Sequence, residues 1–121
     1  MQIEVSNGEI VDKLTILQIK LQHISDANKL KNIQKEFDLL QKIVIDILPS
    51  THPLYLDLLA TNQQLWVIED DCRAMESRQQ FDEVFIQNAR NVYITNDKRA
   101  LLKKQINELT NSALTEEKSY Q

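Results

Sequence analysis

Residues 81–109 read FDEVFIQNARNVYITNDKRALLKKQINEL, and the fold follows from how that stretch is read. Its 29 residues contain no Gly and no Pro. Apolar side chains at Phe81, Phe85, Ala89, Val92, Ala100 and Leu109 recur with helical spacing, while Asn96, Arg99, Lys103 and Asn107 form a neighbouring, mostly cationic stripe. This predicts one helix over 81–109 with an apolar face and a polar face. At roughly 1.5 Å per residue it would span about 43 Å.

Upstream, three further helical patterns emerge. Ser6-Asn7-Gly8-Glu9 fits a capping box, in which the Ser6 hydroxyl accepts from the Glu9 amide and the Glu9 carboxylate reaches back to the Ser6 amide. A seam of Ile10, Leu14, Leu17, Leu21 and Ile24 then predicts a helix over 7–24. Leu30, Ile33, Phe37, Leu40, Val44 and Ile47 predict a second over 28–48. Pro49 and Pro53 bracket a stop, Thr51 offers a cap, and Leu54, Leu58, Leu65, Ile68, Cys72 and Met75 predict a third over 53–77. Four amphipathic helices with short links make residues 1–121 a single all-α domain. Its expected architecture is an antiparallel up-down four-helix bundle with a short extended N-terminal segment and a C-terminal tail. The alternative is a three-helix core whose fourth helix projects into a dimer. The fourth helix is much longer than the first, so part of it is left for a partner or covered by the chain ends. Ile3 and Val5 could then pair with Leu114 and the tail as a two-stranded ribbon.

The bulk composition agrees. One Gly and two Pro in 121 residues leave few turn formers for a hairpin-rich sheet. At 42% apolar and 26% charged, the chain can bury a core without a disulfide or metal. The net charge of −4 is uneven: residues 1–89 carry 8 basic and 14 acidic groups, residues 90–121 carry 6 and 4. That balance points away from nucleic acid. No apolar run approaches a membrane span, MQIEVSNGE lacks the layout of a secretory signal, and Cys72 has no disulfide partner. A cytoplasmic location is the expectation.

Antiparallel packing brings polar residues together. Helices 3 and 4 turn near residue 79, which sets Glu69 beside Arg90, Trp66 beside Val92 or Tyr93, and Asn62 beside Asn96. Glu9, Asp12 and Lys13 of helix 1 come near Asn107, Lys104 and Lys103. One reading is an ion-paired bundle end, with Asp12 bound to Lys103 or Lys104 and Ser6, Glu9, Glu69, Arg73 and Arg90 in structural roles. The other is a cleft for a small anion. There Lys13, Arg99 and Lys103 would supply charge, Asn62, Asn96 and Asn107 would orient the ligand, and the amides of Asn7 and Gly8 would point at it from a helix N-terminus.

Glu69-Asp70-Asp71 has no ligand-spaced His beside it, so no metal and no cofactor is implied. His23 and His52 read as surface or capping residues, and Cys72 as a small core hydrophobe. Trp66 and Tyr93 read as core aromatics. No phosphate loop, dinucleotide fingerprint or nucleophile elbow is present. These absences lean away from an enzyme and toward an interaction module, with a protein partner or a homodimer.

EVSNGEIVDKLTILQIKL (4–21), LWVIEDDCR (65–73), ARNVYITNDKRALLKKQIN (89–107) and ALTEEKSY (113–120), taken together and in this order, resemble a bacterial domain family of unknown function. The resemblance covers nearly the whole chain. It implies a compact helical cytoplasmic protein, sometimes found in company with surface-glycan genes, and assigns no catalytic residue. A looser similarity is to the helical chorismate mutases, which grip a dicarboxylate with Arg and Lys. Lys13 and Arg99 would be the candidates, but helix 1 lacks that family's early Arg.

Overall fold

The computed structural model describes residues 1–114. It contains α1 (Asn7–His23), α2 (Ala27–Val44), α3 (Pro53–Ser77) and α4 (Glu83–Leu109), and no strand among the described residues.

Each helix starts where a side chain can accept from an orphan amide. Ser6 Oγ accepts from the Glu9 amide at 3.1 Å and starts α1. Asp26 Oδ1 accepts from Lys29 at 2.9 Å and starts α2. For α3 the cap is His52, not Thr51: its Nδ1 accepts from the Leu54 amide at 3.0 Å, with Pro53 in the first turn. Asp82 Oδ1 accepts from Phe85 at 3.2 Å, so α4 begins at Glu83 and Phe81 falls outside it. The second helix stops at Val44 rather than 48. Ile47 and Leu48 both donate to the Val44 carbonyl at 2.9 Å, which tightens the chain into a turn ahead of Pro49.

Two helix ends close alike. Gln79 and Asn111 have φ of 53° and 54°, the left-handed region usually given to Gly. The amide after each returns to a helical carbonyl, Gln80 to Met75 and Ser112 to Asn107, both at 2.9 Å. These are Schellman closures. A chain with one Gly has placed Gln and Asn there instead.

The four helices form a bundle with α1 at its centre. It packs against α2, α3 and α4; α3 and α4 pair with each other; α2 packs mainly against α1 and shares the core with α3 through Val44. Contacts between α1 and α4 run in reverse order, Asn7 with Thr110, Gly8 with Asn107, Glu9 with Lys103 and Asp12 with Arg99. The main core joins Val11 and Leu14 to Val44, Leu48, Tyr55, Leu58, Leu102 and Ile106.

The seam expected for the fourth helix is displaced. Phe81, Ala89 and Leu109 are exposed, and Phe85, Val92 and Ala100 are half-buried. The buried residues of α4 are Thr95, Leu102, Ile106 and Asn107. The cause is a second neighbour: α4 packs against α3 and also against α1, which meets Arg99, Lys103 and Asn107. Ile3 and Val5 are 77% and 40% exposed, and Leu114 is 42% exposed. The ribbon is therefore not formed among the described residues, and the tail from Thr115 lies outside them.

Candidate functional site

Most of the polar stripe of α4 faces α1, so Arg99, Lys103 and Asn107 meet α1 partners. Asp12, one turn into α1, is 1% exposed. Its Oδ1 accepts from Arg99 Nε at 2.9 Å and from Asn62 Nδ2 at 2.9 Å, and its Oδ2 accepts from Arg99 Nη2. This is a two-pronged guanidinium–carboxylate pair, the geometry that planar Arg provides and Lys does not. Asn62 also donates to Thr15 Oγ1 at 2.8 Å, and Thr15 donates to the Asp12 carbonyl at 2.7 Å. No buried side-chain polar atom among the described residues lacks a hydrogen-bond partner.

The Arg99 pKa is held above the ordinary arginine value. Its hydrogen bond to Asp12 is the main cause, partly opposed by burial and assisted by the charges of Asp12, Glu9 and Glu69. Arg99 therefore remains charged throughout the ordinary pH range. One turn further along α4, Lys103 Nζ donates to Glu9 Oε2 at 2.6 Å.

The start of α1 is occupied as well. The Gly8 amide donates to Asn107 Oδ1 at 2.6 Å, and the Asn7 amide donates to Ser112 Oγ at 3.0 Å. Asn7 Nδ2 donates to Thr110 Oγ1 at 2.9 Å. Oxygens from the far end of the chain sit where an anion would bind a helix N-terminus. Gly8 makes this fit sterically. A Cβ there would collide with the Lys103 carbonyl oxygen and stand 3.0 Å from Asn107 Oδ1. The Schellman turn after α4 is what aims Ser112 at Asn7.

Of the six candidate ligand residues, Asn62, Arg99, Lys103 and Asn107 are brought together with Asp12 and Glu9. Lys13 is not among them: its exposed ammonium pairs with Glu36 on α2 at 3.1 Å. Asn96 is half-buried, and Asn62 turns to α1 rather than to Asn96. Asp12 binds Arg99, not Lys103 or Lys104, about one turn from the expected register. Glu69 acts on Arg99, and Arg90 is exposed. Arg73 pairs with Asp70 at 3.5 Å on the surface. Trp66 stacks on His23 with ring centroids 5.0 Å apart, and Tyr93 is 51% exposed.

Thr15, Thr110 and Ser112 were missed as members. The signal for Thr15 was its place one turn after Asp12 on the same face of α1. Ser112 had none, because it depends on the left-handed Asn111. Among the described residues no group of three His, Cys, Asp or Glu comes together to hold a metal, and no helix is long and apolar enough to cross a membrane.

Two depressions lie elsewhere. One of about 370 Å³ is lined by Leu14, Gln18, Phe37, Val44, Tyr55 and Leu59, between α1, α2 and α3. In it Tyr55 donates to Gln18 Oε1 at 2.9 Å, and burial raises the Tyr55 pKa. The other, of about 630 Å³, lies between α3 and α4 and is lined by Ala60, Gln64, Val67, Ile68, Asn91 and Thr95. Neither is lined by the six candidate residues.

Fold and site together define a small all-helical protein whose charged residues fasten α1 to α3 and α4. A family model, described as a family of unknown function (DUF6165), matches residues 1–121, and the chain belongs to that family. No curated protein and no solved structure matches it.

Proposed function

We propose that the protein is a non-enzymatic interaction module, and that its polar cluster serves structure rather than ligand capture. One observation carries this: the groups suited to an anion are engaged by the chain itself. Arg99 is held by Asp12, Lys103 by Glu9, and the amides of Asn7 and Gly8 by Ser112 and Asn107. A ligand would have to displace a carboxylate that is already buried and doubly bonded, at a cost of several kcal/mol. A cytoplasmic setting and a link to bacterial surface-glycan synthesis belong to this proposal and rest on the family resemblance.

Thermal shift with inorganic phosphate, a sugar nucleotide and a dicarboxylate tests the reading. No ligand should raise the melting temperature of the wild-type chain. A saturable rise that disappears in Lys103→Ala would overturn the proposal in favour of a small-anion site.

A further inference from the structure

The α3·α4 pair has two faces, and among the described residues only one is covered. α1 lies over the face that carries Asn62, Arg99 and Lys103, and α2, which joins the core at Val44 beside Tyr55 and Leu58, lines none of the depression on the other face. The opposite face holds the 630 Å³ depression. Along it α4 presents Gln87, Asn91, Ile94, Lys98, Leu101 and Gln105, in an alternating four-and-three spacing that also takes in Val84. Alongside, α3 presents Ala60, Gln64, Val67, Asp71 and Ala74 with the same spacing. That is the repeat of a helix seam built to meet another helix. Val67, Val84, Ile94 and Leu101 remain 54%, 57%, 48% and 55% exposed on it.

We propose that this face is the docking surface for a second copy of the same chain. The proposal rests on the interaction-module reading and names its partner. Two properties of the face favour a copy of itself. First, most of its polar groups are the amides Gln64, Gln87, Asn91 and Gln105, each both donor and acceptor and so able to pair with its own kind. Second, its charges are self-complementary. Asn62 of α3 and Arg99 of α4 meet at Asp12, and the two helices are joined through residues 78–82, which sets Lys98 toward one end of the face and Asp71 toward the other. Val67 and Ile94 fall between them. A two-fold axis crossing the hairpin between Val67 and Ile94 brings Lys98 of each copy to the Asp71 end of the other. Two opposite-charge pairs then flank an apolar centre, as an isologous interface requires.

Sedimentation velocity on the full-length protein, from about 1 to 100 µM, tests this at the affinities expected of a standard interface. The wild-type chain should dimerise. Ile94→Glu should weaken the dimer by about tenfold or more at unchanged helicity, since Ile94 is already half in water. Asp71→Lys and Lys98→Asp should each weaken it, and the double exchange should restore it. A wild-type monomer across the range, or a dimer indifferent to Ile94→Glu, overturns the proposal. In the monomer case a pull-down separates the two readings: Ile94-dependent capture of a different protein sinks self-docking and leaves the interaction module standing. An anion-induced thermal shift lost in Lys103→Ala sinks both.

Discussion

α1 and α2 are nearly equal in length, 17 and 18 residues, yet they hold opposite places in the molecule. α1 has three neighbours and buries Val11, Asp12, Leu14, Thr15, Leu17 and Ile19. α2 packs mainly against α1 and buries only Val44, while Ile33, Phe37 and Leu40 are half-covered and Leu39 and Ile43 are exposed. The cleaner apolar stripe belongs to the helix that contributes less. A stripe is sharp when one side meets protein and the rest meets water. A central helix is contacted from several directions, so its pattern blurs and its buried set includes polar residues. Amphipathicity therefore marks a peripheral helix here, and a blurred pattern marks the centre.

The strongest way to break this contrast is Asp12→Ala. It leaves Arg99 and Asn62 without their acceptor inside the bundle, and a loss of about 3–5 kcal/mol in urea denaturation is expected. A loss under 1 kcal/mol would mean that α1 is not fastened by this group. Gly8→Ala comes next. Ala gains about 1 kcal/mol in helix propensity over Gly, but overpacking costs about 1–3 kcal/mol. The obstacle is the Lys103 backbone, which no rotamer change can move, so a net loss of up to about 2 kcal/mol is expected. A stabilised variant would show that α1 and α4 can separate freely at that end.

On the peripheral side, Phe37→Ala should cost about 1–2 kcal/mol, well below the roughly 3–5 kcal/mol of a fully buried Phe. Amide exchange should show α2 opening before the other helices. The smallest effect concerns Tyr55, where α3 meets α1. Burial raises its folded pKa above the unfolded value, so its stabilising contribution is complete below about pH 10 and declines as pH rises toward the folded pKa. Tyr55→Phe should cost about 1 kcal/mol at neutral pH through the lost bond to Gln18. It should also flatten the alkaline decline in stability, read from urea midpoints between pH 8 and 11. Arg99 adds nothing to that window, because its pKa is raised from an already higher value.

The four helices were legible because their punctuation is local: Ser6, Asp26, Asp82 and the two prolines act within a few residues. The seam of α2 was legible for the reason just given. The seam of α4 was not, since periodicity alone cannot tell a stripe of Arg, Lys and Asn facing water from one facing a carboxylate on a neighbouring helix. The gathering of Asn62, Arg99, Lys103 and Asn107 with Asp12 followed from counting outward from the loops. That counting has an error of about one turn, enough to give Asp12 the wrong partner. Lys13 departs from the cluster because of helix phase: one residue beyond Asp12, it points about 100° away, toward Glu36 on α2. The His52 cap and the His23–Trp66 stack depend on side-chain directions that spacing does not carry.

The bond from the Gly8 amide to Asn107 spans 99 residues. During synthesis the first helix leaves the ribosome long before the residue that completes its opening turn has been made. Until residue 107 has emerged, that amide is bonded to water. Docking of α4 onto α1 is thus postponed until position 107 has been made, and a nascent chain arrested ahead of it should remain open to proteases at the first turn of the helix around which the finished molecule is built.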